Sequence, residues 1–395
     1  MSVADAVSAA PPPPSLEDDI ATYVSFGDHR CGTVVEKRTA RWMAGRLRAC
    51  GFSAKICSFD VRTILDPSGT LSADGLTAEA FPQWRPPRGT WSTPIEAPLA
   101  GPGDNCVGRI VLSPKPFDPG AYWSTSQQAA VEVAHRNGAR ALVIAAAELT
   151  DSIHAFNQDS DADLPIPVAT VRRSVLDRLH ELARRAGAAR LQLSGRDANT
   201  SAEYVLARKP GVGAAIVIST PLTGWFRCGA ERGPGVALML GLARALARSS
   251  RPVWMVATGA HEIGHLGMKR ALASGRLPPP CDTALWLHLG AGICARALDG
   301  RYSIKIPQNI MLTASLAGRL GSDFAAPEWT YVEARPNGPG EGGDVIAAGY
   351  ERLIGLSAPF PGFHTPGDDG GAVDYQKLAR LEHDLGAVIT RVLST

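Results

Sequence analysis

The stretch that most constrains this chain is Val253-Trp254-Met255-Val256-Ala257-Thr258, followed at once by Gly259-Ala260-His261-Glu262-Ile263-Gly264-His265-Leu266-Gly267. Its apolar and small residues fit a buried strand, and the strand runs straight into a turn that packs two imidazoles and a carboxylate together. Strand-to-turn junctions of this kind are where α/β proteins place their chemistry, because strand ends hold side chains rigidly at the rim of a sheet. Two readings compete. In one, His261-Glu262-x-x-His265 is the helical H-E-x-x-H of a zinc protease. In the other, the stretch is a metal-site turn in which only Glu262 is a ligand. The helix needs His261 and His265 on one face, yet Gly259, Gly264 and Gly267 and the preceding strand oppose it. The position for a third histidine is Ala271, and no glutamate follows until Glu328. The turn is the better reading.

The rest of the chain alternates strands and helices. Helices are expected over Leu16–Phe26, Glu36–Cys50, Ser126–Asn137, Ser174–Ala186, Pro234–Ala247, Gly267–Ser274, Asn309–Leu320 and Asp374–Leu393. In the last, Leu378, Leu381, Leu385, Val388, Ile389 and Val392 form one stripe. Strands are expected over Ser53–Val61, Val107–Ser113, Ala139–Ala147, Ile166–Val171, Tyr204–Ala207, Ala214–Ser219, Ala284–Leu289, Thr330–Val332 and Arg352–Leu356. Short links between alternating elements imply parallel pairing and an α/β fold. Residues 62–105 are rich in proline and glycine and read as a loop-rich β region or a linker, with Phe81, Trp84 and Trp91 favouring the folded option.

Composition narrows the function classes. The chain has 395 residues, 45% hydrophobic and 20% charged, enough for two or three domains with a large core. Its net charge of +2 favours neither nucleic acid nor an anionic membrane, and no apolar run reaches spanning length. Met1–Ser15 lacks the basic and apolar regions of a signal peptide, and its Pro11–Pro14 run suggests a disordered leader over residues 1–14. Seven scattered cysteines with no C-x-x-C pair point to reduced thiols and a cytoplasmic location. His29, His135, His154, His180 and His383 have no motif around them and read as surface or helix-end histidines.

The order of these segments resembles the zinc aminopeptidase, glutamate carboxypeptidase and glutaminyl cyclase superfamily, with a protease-associated domain inserted. Val107-Gly108-Arg109-Ile110-Val111-Leu112-Ser113, Asn137-Gly138-Ala139-Arg140-Ala141 and Ile166-Pro167-Val168 are similar to landmarks of that insert. Gly229–Arg244 is similar to the family's "GA-x-D-N-x-S-G-V-A" turn and helix. Ala257–Gly267 is similar to "T-G-x-E-E-x-G-L-x-G", and Phe363–Asp368 to the closing "H-T-x-x-D". The resemblance implies an α/β fold with a central, mostly parallel mixed sheet flanked by helices. The catalytic domain would span residues 15–61 and 201–395, and the protease-associated-like domain 62–200.

In that family two metals sit at the strand ends. Carried over residue by residue, one metal's set is mostly lost. Its His-x-Asp turn falls on Ser219–Thr223, and its second Asp on Gly290, two residues after His288. The other set survives as Glu231, Glu262 and His364, which implies at most one zinc with an open fourth position. The general base falls on His261, which either takes a proton from a bound water or closes the site as a fourth ligand. Glu231 precedes Arg232, and the two equally suit an ion pair at a helix N-terminus. Trp225, beside the altered turn, is either core or the wall of a substrate pocket. Asp344 resembles the aspartate of an "S-D" segment on the substrate side. The leading expectation is therefore a metallohydrolase-like protein, aminopeptidase-like, cleaving an amide or peptide bond in a peptide or small amide. The alternatives are a catalytically inactive pseudopeptidase serving as a binding or scaffold module, and a glutaminyl cyclase-like or acyl-transfer enzyme that uses His261, Glu262 and His288 without a metal.

Overall fold

The computed structural model describes residues 14–83, 86–87, 90–158, 163–185, 187–296, 308–320, 329–336 and 338–394. Four strands run parallel through the centre of the main sheet, Leu353–Ser357, Thr283–Leu289, Ala215–Pro221 and Val253–Thr258, in that spatial order. Past Leu353–Ser357 the sheet continues through antiparallel Gln308–Leu312 and its parallel neighbour Trp329–Glu333. On the other side Val253–Thr258 pairs antiparallel with Ala188–Lys209, which pairs antiparallel with Ser53–Ala73. The sheet is mixed and covered on both faces, so its inner strands are buried almost throughout. One face packs on helices Leu16–Ser25, Val34–Ala49, Gly233–Leu246 and Tyr375–Ser394. The other is covered by Met268 and Ala271 of Leu266–Ala273 and by Val345 of Glu341–Ala347. The apolar stripe of the closing helix is buried at all six expected positions.

The expected strand Ser53–Val61 does not stop at Val61. It continues to Ala73, and its partner begins at Ala188, so two strands of 21 and 22 residues form one ladder. The far half alternates exposed and half-buried residues and contains Pro67, Ser68 and Gly69, which is why it reads as loop. Cross-strand pairing overrides that local preference. At its far end the ribbon carries a second sheet. Ile95–Ala100 pairs with Ala188–Leu191, then come parallel Ile110–Leu112, Ala141–Ile144 and Val168–Thr170, with antiparallel Phe81–Pro82 at the edge. Helices Arg173–Ala183 and Thr125–Arg136 cover its two faces.

Three expectations are corrected. Gln308–Leu312 is a strand and only Ala314–Leu320 is helical, because a short apolar run such as Ile310-Met311-Leu312 suits either element until its neighbours are known. His29 is buried, stacked on Tyr23 at 3.7 Å, and His154 is buried against Glu148. Trp84 and residues 1–13 of the expected leader lie outside the described residues. Among the described residues no disulfide links any of the seven cysteines. Among the described residues no helix is long and apolar enough to cross a membrane.

Close backbone contacts position the loops at the strand ends. A Cβ on Gly229 would lie 2.1 Å from the Gly370 nitrogen, so glycine is what lets the Glu231 turn meet the chain after His364. Gly229→Ala is expected to lower stability by about 1–3 kcal/mol through overpacking, read from the urea midpoint. Gly386→Ala, where the added methyl meets nothing within 4 Å inside the closing helix, is expected to raise it by about 0.5–1 kcal/mol.

Candidate functional site

The side chains singled out in the sequence gather at the carboxyl ends of the parallel strands. Thr223 follows the strand ending at Pro221, His261 and Glu262 follow Thr258, His288 sits near the end of its strand, and His364 follows Ser357. The H-E-x-x-H stretch is a turn, with Ala260 (φ 51°) and His265 (φ 57°) left-handed, and the helix begins only at Leu266. Phe226, Cys228 and His364 are also left-handed, at φ 63°, 51° and 59°. Non-glycine residues rarely adopt this conformation, and five of them lie in the loops that follow the parallel strands, where strain of this kind tends to be kept for function.

Arg232 and Glu231 form the buried heart of the site, just before the helix Gly233–Leu246. Asp368 holds the turn by accepting from the Ala230 and Glu231 N–H groups at 2.6 and 2.9 Å. The Arg232 Nη2 lies 2.7 Å from Glu231 Oε1, and its Nε donates to the Thr223 carbonyl at 3.0 Å. Burial opposes the charge on Glu231, but Arg232 and His364 outweigh it and hold the carboxyl below its usual range. Burial likewise opposes the Arg232 charge, and Glu231 together with Cys228, Tyr23 and Glu341 more than offsets it. His364 donates from Nδ1 to the Ala155 carbonyl at 2.9 Å, and its Nε2 lies 3.2 Å from Glu231 Oε1. Burial pushes the His364 pKa down, and Glu231 opposes that shift. Neither Glu231 oxygen, nor Arg232 Nη2, nor His364 Nε2 has a well-formed hydrogen bond.

Glu262 is brought near this cluster but is otherwise engaged. Its Oε1 accepts from the Cys31 N–H at 2.6 Å and its Oε2 from the Thr223 hydroxyl at 2.8 Å. Burial raises its pKa. Thr223 is the hub that the sequence did not reveal: it also accepts from the His261 N–H at 3.0 Å, so one residue ties together Glu262, His261 and Arg232. Among the described residues no three His, Cys, Asp or Glu side chains converge as a metal cage. The donors offered by Glu231 and His364 would suit a cation, yet a guanidinium already lies against the carboxylate and the third donor is committed to Cys31 and Thr223. The residues present do not fit a three-ligand zinc.

The remaining histidines form a second group on the cleft side. His261, His265 and His288 are 6%, 8% and 5% exposed, whereas Glu231 and Glu262 are wholly buried, so the imidazoles are the part of the site that meets solvent. His261 Nδ1 lies 3.1 Å from Glu341 Oε1, and Glu341 accepts from the Thr258 hydroxyl at 2.8 Å. Burial, with Arg232 next, drives the His261 pKa well down. Burial pushes Glu341 up to about 7. Glu341 gave no sequence signal beyond its place before Asp344. His288 Nδ1 lies 2.9 Å from the Ser219 hydroxyl, which accepts from Trp286, and burial lowers the His288 pKa to about 3. His265 lies between the Tyr122 hydroxyl and Asp344. Trp225 is buried and donates to Asn157, closing the seam between the two sheets. In that seam, residues 153–158 cross the site: Ala155 exchanges hydrogen bonds with His364, and the Gln158 N–H donates to the Glu262 carbonyl at 3.0 Å.

The fold is that of the zinc exopeptidases. A zinc aminopeptidase from Bacillus subtilis superimposes with a TM-score of 0.71 over 96% of this chain and 95% of its own, at 16% identity. A peptidase M28 precursor from Shewanella amazonensis gives 0.69 over 94% and 92% at 14% identity. A glutaminyl cyclase from Porphyromonas gingivalis gives 0.50 over 96% of both chains at 10% identity. No protein-family model and no curated protein matches the sequence.

The Glu341 shift has a signed consequence. A carboxyl whose pKa is raised in the folded state contributes stability below the ordinary carboxyl pKa and loses it as pH rises through about 7. Glu341→Gln keeps an acceptor for Thr258 and a donor for His261. It is expected to lose less stability than the parent between pH 5 and 8, compared by urea midpoints; equal slopes would contradict the assignment.

Proposed function

We propose that this protein acts on a peptide or small amide without a zinc ion, its own Arg232 supplying the fixed positive charge at the centre of the cleft. One observation carries the reading: a fully buried guanidinium lies 2.7 Å from Glu231, the carboxylate that the resemblance makes a metal ligand. A cation among those donors would have to share Glu231 with that guanidinium, at the cost of like-charge repulsion in a low-dielectric site. The strained backbone and the paired imidazoles at the cleft support a working site over an inert remnant. The names of the structural neighbours, aminopeptidase and glutaminyl cyclase, support a peptide or small-amide substrate.

The second reading is hydrolysis with one zinc held by Glu231, Glu262 and His364, with His261 as proton shuttle. It is favoured by the buried Glu231 Oε2 and His364 Nε2 atoms, which lack a well-formed hydrogen bond. Metal analysis of protein purified without added zinc, together with turnover of aminoacyl and N-terminal glutaminyl substrates with and without chelator, separates the two. Little bound zinc and chelator-insensitive turnover are expected. A full equivalent of zinc, lost in His364→Ala with chelator-sensitive turnover, would establish the second reading, and no turnover under either condition would leave a binding module.

Arg232→Met strands a buried carboxylate and is expected to cost about 3–5 kcal/mol of stability. Adding Glu231→Gln should recover much of that loss, a coupling that a double-mutant cycle by urea unfolding measures.

A further inference from the structure

We propose that Tyr122 is an acyl-accepting nucleophile, with His265 as its base and Asp344 as the residue that positions the imidazole. The reading goes beyond the question of zinc and uses none of the residues of the Arg232 cluster. The Tyr122 hydroxyl lies 2.7 Å from His265 Nε2, and His265 Nδ1 lies 2.8 Å from Asp344 Oδ2. An ionised carboxylate only accepts, so Nδ1 carries the imidazole proton and Nε2 presents its lone pair to the phenol. This is the nucleophile–base–orienter order of acyl-transfer enzymes, built with a phenol.

Both ends of the relay are fixed. The chain around Tyr122 is pinned by the exchange Trp123 N–H to Asn157 carbonyl and Asn157 N–H to Ala121 carbonyl, each 2.8 Å, while the Asn157 side chain accepts from Trp225 of the main sheet. His265 is held in its left-handed conformation by its N–H on the His261 carbonyl at 3.2 Å. Among the described residues, the charged and titratable groups near the relay include Lys269, 3.9 Å from Asp344, the His261 ring, 4.7 Å from the His265 ring, and Glu341 and His288, which both feel the His265 and Asp344 charges. Tyr122 is half-buried and His265 is 8% exposed, so the relay opens to solvent where the Arg232 cluster does not.

The step balances without a metal. The phenol oxygen bonds to the acyl carbon of a small ester or amide as its proton passes to His265 Nε2. The resulting imidazolium, facing Asp344, returns that proton to the departing alkoxide or amine as the acyl–O or acyl–N bond breaks. The acyl group remains as a phenyl ester on Tyr122, from which water or a second nucleophile releases it through the same relay.

The test is acetylation of the full chain by p-nitrophenyl acetate in the presence of chelator, with the modified residue located by peptide mass spectrometry. Label on Tyr122 is expected, absent in Tyr122→Phe and slowed roughly 100-fold in His265→Gln and Asp344→Asn. The labelling rate should rise with pH through a single ionisation that moves in Asp344→Asn and vanishes in His265→Gln, while Asp344→Glu restores much of the rate. Circular dichroism and melting temperature control for folding. Label confined to other residues, or label on Tyr122 at a rate and pH profile unchanged in the His265 and Asp344 variants, overturns the proposal and leaves the zinc question untouched.

Discussion

A guanidinium buried without water has to be matched almost atom for atom, and much of the site can be understood as the matching of Arg232. Desolvating such a charge costs several kcal/mol, which a single carboxylate offsets only if it too is held in place. Glu231 is held by Asp368, whose carboxylate fixes the backbone of the turn, and Arg232 is held in turn by the Thr223 carbonyl. Thr223 then has its hydroxyl free to fix Glu262, and its position dictates where the His261 backbone lies. Asp368 itself is pushed up to about 7 by burial, whereas Glu231, whose backbone it holds, is kept below the usual carboxyl range beside Arg232.

At 10–17% identity the strand order and helix layers superimpose on zinc aminopeptidases and a glutaminyl cyclase over nearly the whole chain. Packing constrains volume and polarity in the layers, while only chemistry constrains the rim. The architecture therefore identifies a location for chemistry more securely than it identifies the chemistry.

Much of the fold was legible because periodicity reports burial. The central strands and the closing helix with its Leu378–Val392 stripe stand close to where the residue pattern puts them. The far half of the ribbon was not, since Pro67, Ser68 and Gly69 are poor strand formers that become strand only through pairing with Ala188–Ser194. In the site, Glu262, Glu231 and His364 were visible as residue types in motifs, but what they touch was not. The Cys31 N–H that holds Glu262 lies 231 residues away, and Tyr122 lies 143 residues from His265, in a loop with no motif around it. Partners supplied by a distant backbone amide or by an inserted sheet leave no trace in local spacing.

The ribbon also bears on how the cleft can open. Two domains joined by a flexible linker swing as bodies about a hinge, but here the insert is mounted on two long strands hydrogen-bonded to each other along most of their length. Its one break in register lies between Leu65 and Ser68, around the left-handed Asp66, so bending is confined to that point. Residues 153–158 are attached to the insert and anchored on the cleft by a few hydrogen bonds. Residues 153–158 are themselves buried, so the second sheet is clamped to the strand ends at two separate places, the ribbon and this strap.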